Sequence, residues 1–128
     1  MRAARDAGLR VVPVPGANAA IAALSASGVE GPFLFYGFLP SKAGERRHAL
    51  ESLAVERAAL VFYEAPHRVV ETVAELNAVQ GAHGAPRRIV IARELTKKFE
   101  IIHECALADA PAWLEADSDP PAAAANSC

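Results

Sequence analysis

Residues 59–76 read ALVFYEAPHRVVETVAEL, and this stretch sets the fold class. Ala59-Leu60-Val61-Phe62-Tyr63 is apolar, too short for a helix and rich in strand formers, which predicts a strand. Pro66 then stands where a first helical residue belongs, because its fixed φ suits the position and its missing N–H is not needed there. Behind it Val69, Val70, Val73 and Leu76 recur at helical spacing, which predicts a helix to Val79. A strand that turns sharply into a helix is half of an α/β unit.

The same alternation extends in both directions. Phe33 to Phe38 reads as a strand, Leu39-Pro40-Ser41 as a loop, and Glu45 to Val55 as a helix with Leu50 and Leu53 on its apolar side. Further upstream, Asn18 is placed to cap a tight alanine helix through Ile21 and Leu24, with Gly28 just past its end. Leu9 to Val14 reads as a buried strand stopped by Pro15-Gly16, and Arg2 to Ala7 as the last turns of a helix closed by Gly8. Downstream, Gln80 to Pro86 reads as a glycine-rich loop, Arg88 to Ala92 and Phe99 to His103 as strands, and Leu107 to Ala116 as a helix. From Asp117 to Cys128 an Asp/Pro/Ala-rich stretch has no packing period and reads as a disordered tail. The expectation is an α/β fold, a sheet flanked by helices.

Composition narrows the class without naming the chemistry. At 128 residues and 52% hydrophobic, the chain has the apolar content for one domain with its own core. The uncharged run Val11 to Val29 is broken by prolines and glycines and is not a membrane span, and the charged opening at Met1-Arg2 is not a signal peptide. Cys105 and Cys128 are too few for a disulfide framework, which suits a reducing cytoplasm. His103 and Cys105, one residue apart with no second pair, have the wrong spacing for zinc. A net charge of −2 does not suggest a general polyanion binder.

In α/β folds the working residues gather at the carboxyl ends of strands, and four such ends carry polar or turn-forming residues. Pro15, Gly16, Ala17, Asn18 and Ala19 form a strand-to-helix turn whose backbone amides can face an anion, or a plain structural turn. Beyond Gly37 to Pro40, Lys42, Arg46, Arg47 and His48 form a basic cluster that reads on its own first as a solvated helix face and second as a phosphate site. Tyr63, Glu64, Ala65, His67 and Arg68 bring a carboxylate, an imidazole and a guanidinium to one corner, fit for acid–base work, anion binding or helix capping. Arg93, Glu94, Leu95 and Lys97 form a mixed-charge rim, either a salt-bridged surface or the edge of a polar site.

Taken in order, Val12-Pro13-Val14-Pro15-Gly16, then Phe35-Tyr36-Gly37-Phe38-Leu39-Pro40, then Phe62-Tyr63-Glu64-Ala65-Pro66-His67-Arg68, then Ala92-Arg93-Glu94-Leu95-Thr96-Lys97 resemble one family. It is the bacterial 16S rRNA (cytidine-2′-O)-methyltransferases, the ribosomal RNA small subunit methyltransferase I family of the tetrapyrrole-methylase superfamily. The resemblance runs from Gly8 to Leu114. It implies two α/β domains with S-adenosylmethionine in the cleft between them, and methyl transfer to a cytidine ribose in the decoding region of the small ribosomal subunit.

On that resemblance Pro15 to Ala19, Tyr63, Glu64, Ala65, Arg93, Glu94 and Leu95 face the cofactor, and Glu64 or Glu94 takes the hydroxyl proton. His67, Arg68, Lys97, Arg46 and Arg47 are set toward the 16S rRNA backbone. Superfamily members are commonly homodimers, and the enzyme is cytoplasmic and needs no metal. Residues 1–16 are expected to be the last helix and strand of a preceding domain, 17–116 the C-terminal α/β domain truncated at both ends, and 117–128 the tail. The family's earlier glycine motif and Asp-Ala-Gly loop are absent, so the chain alone is expected to hold the cofactor weakly. Asn18 stands where a small residue or cysteine is usual. A non-catalytic RNA-binding module and a porphyrin or corrin methylase domain are the alternatives.

Overall fold

A computed structural model describes residues 1–84 and 86–118 of the chain. Its elements are α1 (Arg2–Asp6), α2 (Ala19–Ala26), β1 (Phe33–Phe38), α3 (Ala43–Leu53), β2 (Ala59–Tyr63), α4 (Val69–Ala82), β3 (Arg88–Arg93), β4 (Ile101–Ala106) and α5 (Ala110–Ser118). The mixed α/β class expected from the sequence is therefore present. No helix among the described residues is long and apolar enough to cross a membrane.

β1 and β2 run parallel, paired from Phe33↔Ala59 to Phe38↔Tyr63, with α3 as the crossover between them. The register slips between Phe35 and Gly37, and Gly37 takes the left-handed φ of +87° that this bulge requires. β3 and β4 form an antiparallel hairpin, from Arg88↔Ala106 to Arg93↔Ile101. Along β4, Ile101, His103 and Cys105 are half-buried and the residues between them exposed, the period-two pattern of a sheet with one wet face. Instead of one sheet, the described strands form two pairs, and α4 stands between their cores. On one side Val79 packs with Leu39, Ala49, Leu50 and Ala54. On the other Val73 packs with Leu107, Ala110 and Leu114, and Leu76 touches both groups.

Other expectations shift for local reasons. Leu9 to Val14 forms no strand, because no described strand pairs with it, and Val12 and Val14 stay exposed. Pro66 lies in a turn, and α4 begins only at Val69 with Arg68 as its N-cap. The helix then continues through Gln80, Gly81 and Ala82, where a loop was expected. Val79 and Gln80 are buried on its core face, and that packing offsets a cost of about 1 kcal/mol for a helical glycine. Phe99 is outside β4, in the preceding turn. Asp117 and Ser118 complete α5, and the expected tail from Asp119 onward lies outside the described residues.

Candidate functional site

The turn at Pro15–Ala19 and the end of β2 meet. Asn18 caps α2: its Oδ1 accepts from the Ala20 amide at 2.9 Å and the Ile21 amide at 3.2 Å. The same Ala20 amide donates to the Tyr63 hydroxyl at 3.3 Å, which ties the start of α2 to the end of β2. The Tyr63 ring packs edge-on against Phe35 at 5.1 Å and tilted against Phe38 at 5.5 Å, so β1 joins the same corner. Pro15, Gly16, Ala17 and Ala19 are exposed beside it, and a Cβ added at Gly16 would meet nothing within 4 Å. The side of the turn is therefore open to a ligand.

Glu64 closes the next corner. Its Oε1 accepts from the Ala65 amide at 2.8 Å and from Arg68 at 2.9 Å (Nε) and 2.6 Å (Nη2), while Oε2 accepts from the Thr72 hydroxyl at 2.8 Å. Burial alone pushes this carboxyl up, but the Ala65 amide, the Thr72 hydroxyl and Arg68 outweigh it and hold it below the usual range. Such a carboxylate binds the β2–α4 connection together and is a poor proton acceptor. His67 beside it is exposed.

The loop after β3 keeps its own contacts. Arg93 Nη2 lies 2.5 Å from Asp117 on α5, as an ion pair without hydrogen-bond alignment. The Glu94 side chain, half exposed, faces Lys97 Nζ at 3.1 Å. Among the described residues no hydrogen bond or ion pair links this loop to Tyr63, Glu64 or the Pro15–Ala19 turn. The structure brings the first and third loops together and leaves the fourth separate.

Arg46 requires a correction. Its side chain is 1% exposed, and its guanidinium is gripped by Glu75 at 2.7 Å and 2.8 Å and by Glu71 at 2.6 Å. The Glu75 carboxylate holds it protonated more firmly than usual, against the opposing cost of burial. A cation so enclosed joins α3 to α4 and is not available to an RNA phosphate. Arg47, one residue on, is exposed and pairs among the described residues with Glu51 at 3.1 Å. His103 stacks flat on Trp113 at 4.0 Å, and burial pushes the Cys105 thiol up, so both serve the β4–α5 packing.

Residues 1–111 match the family model described as Tetrapyrrole (Corrin/Porphyrin) Methylases. The chain belongs to that family. Among curated relatives, the protein named ribosomal RNA small subunit methyltransferase I from Pseudomonas aeruginosa is 48% identical over 93% of the chain. Proteins of the same name from Escherichia coli O157:H7 and Haemophilus influenzae are 43% and 46% identical over 93% and 91% of it. The chain spans about two fifths of these relatives, 42%, 41% and 41% of their lengths.

Two features of the chain escape sequence reading. Thr72 sits one helical turn beyond the motif, and only the fold shows that its hydroxyl reaches back to Glu64. Phe99 is a large aromatic left 72% exposed. The available signal was its place directly after Lys97-Lys98, which a strand assignment concealed.

Proposed function

We propose that this chain supplies part of an S-adenosylmethionine-dependent enzyme that methylates the 2′-hydroxyl of a cytidine in the decoding region of 16S rRNA. The observation that carries the reading is the Ala20–Tyr63 junction of two motif loops, in a chain 48% identical to a protein named for rRNA methylation. The expected partner is the small ribosomal subunit, in the cytoplasm.

The residues at this corner fit the cofactor. Asn18 occupies the Ala20 and Ile21 amides, and Ala22 donates to the Asn18 carbonyl. The Ala19 amide has no acceptor among the described residues, and it lies at the positive end of α2, where a carboxylate is favoured. Gly16, Ala17 and Ala19 are small enough for a ligand to approach the backbone. Tyr63, whose hydroxyl meets the Ala20 amide, is half-buried, as is Ala65 two residues on. S-adenosylmethionine bound there supplies an electrophilic methyl group on a sulfonium.

The chain's own work is positioning and proton removal. Glu64 fixes the β2–α4 corner and keeps its charge. Glu94, half exposed and facing Lys97, takes the hydroxyl proton, directly or through water. Arg93 and Leu95 frame that carboxylate. His67, Arg47, Lys97 and Arg68 contact RNA phosphates, since none of these side chains is enclosed as Arg46 is.

The test replaces the matching segment of the Pseudomonas aeruginosa relative with this chain and supplies methyl-labelled S-adenosylmethionine with unmodified small subunits. Label enters 16S rRNA, and Glu94→Gln lowers the rate far more than Arg47→Ala. A folded graft that transfers no label, beside an active unaltered relative, refutes the proposal.

A further inference from the structure

The β3–β4 loop, residues 94–100, is built to present one ring. Glu94 and Thr96 both take left-handed backbone conformations, φ 51° and 65°, which non-glycine residues adopt at a cost and only when their surroundings impose them. Three contacts impose them here. The Lys97 amide donates to the Glu94 carbonyl at 2.9 Å, the Glu100 amide to the Lys97 carbonyl at 3.2 Å, and the Thr96 amide to the Glu100 carboxylate at 2.5 Å. At the base of the loop Arg93 is anchored to Asp117.

Phe99 stands on this frame 72% exposed. Three exposed aromatics of β1 share their rings with β2, Phe35 and Phe38 with Tyr63 and Tyr36 with Phe62. Among the described residues the Phe99 ring has no aromatic partner, and the Lys98 ammonium lies 5.5 Å from its centroid. That ammonium has no carboxylate partner among the described residues, and Lys97 next to it is two-thirds exposed with Glu94 as its one ion pair. An exposed ring with one ammonium over it, and a second exposed lysine on the same short loop, offers what an unpaired nucleotide strand needs: a flat apolar face for a base and positive charge for its phosphates. Glu94 and Glu100 on the same short loop argue against an anionic bilayer, whose broad field would repel both carboxylates.

We infer that the β3–β4 loop is a single-strand RNA platform, with Phe99 stacking one unpaired base while Lys97 and Lys98 neutralise the adjacent phosphates. The inference rests on the rRNA reading and deepens it, because a strand seated on Phe99 is held by the loop that carries Glu94. The frame is preformed, so little ordering cost falls on binding.

Fluorescence anisotropy of the 128-residue chain with an unstructured 12-nucleotide RNA, an RNA duplex of the same length and heparin tests it. Phe99→Ala weakens binding to the single strand by about five- to a hundredfold, with the salt dependence unchanged and heparin binding unaffected. Phe99→Tyr retains affinity, whereas Phe99→Leu behaves as the alanine variant. Lys97→Ala combined with Lys98→Ala lowers the slope of log affinity against log salt by about 1.4. Wild-type chain that binds the single strand equally well after Phe99→Ala overturns the platform and leaves the rRNA reading standing. Equal losses for single strand, duplex and heparin overturn it too, since stacking would then play no part. A wild-type chain that binds no RNA brings down the platform and the RNA-contact reading together.

Discussion

Arg46→Met removes the guanidinium that joins α3 to α4 while keeping most of the side-chain stem. Three charge-assisted bonds of 2.6–2.8 Å reach Glu71 and Glu75, and a weak one of 3.5 Å reaches the Ser41 carbonyl. Breaking a buried ion pair from one side costs about 3–5 kcal/mol, mainly because the remaining charge is stranded. Here the strandedness is partial: the Glu71 side chain is 60% exposed and that of Glu75 25%, so both carboxylates regain water. The expected destabilisation is therefore about 2–3 kcal/mol, with a fall in Tm of about 8–12 °C. Urea unfolding followed by Trp113 fluorescence measures it well, since Trp113 is the single tryptophan and loses its stack on His103 when the fold opens. Glu75→Gln in the Arg46→Met background should cost much less than in wild type, a coupling of about 1–2 kcal/mol. Below its melting range the Arg46→Met variant should bind RNA as wild type does. A destabilisation under about 1 kcal/mol, or reduced RNA affinity with a lower salt slope, would refute the assignment of Arg46 to the interior.

Two further outcomes follow from the same contacts. Glu75, held low by its bond to Arg46, and Glu64, held low by Ala65, Thr72 and Arg68 against burial, both have folded-state values below the ordinary carboxylate range. Their contribution is complete at neutral pH and is lost as pH falls through those depressed values, so urea midpoints should hold to about pH 4.5 and drop below it. A midpoint that rises on acidification contradicts this. Asn18→Ala removes the acceptor for two α2 amides and should cost about 1 kcal/mol, while Asn18→Ser or Asn18→Asp restores most of it. Thermal melts that rank alanine with wild type would remove the cap from the account.

Legibility in the sequence followed the range of the forces involved. The cap at Asn18, strand β2 and the helical face through Val69, Val73 and Leu76 rest on neighbouring residues, and each is where period and turn chemistry put it. Leu9 to Val14 has strand composition, but a strand needs a ladder partner, and composition cannot supply one. The division of the strands into two pairs depends on α4 filling the space between them, a matter of packing alone. Arg46 looked like part of a solvated basic face because its partners lie 25 and 29 residues away on another helix. The Glu64 corner was visible as a cluster of chemistry-bearing residues. That its carboxylate is fully engaged depends on Thr72, a residue with no mark of function in the sequence.

The central claim is ribose methylation, and the chemistry of the product tests it most directly. A 2′-O-methyl group blocks alkaline cleavage of the phosphodiester that follows it, whereas a methyl on a base does not. After reaction of the grafted enzyme with methyl-labelled S-adenosylmethionine and small subunits, alkaline hydrolysis of the 16S rRNA should leave the label in an alkali-resistant dinucleotide beginning with cytidine. Label recovered in mononucleotides, or in a dinucleotide beginning with another base, would contradict the account.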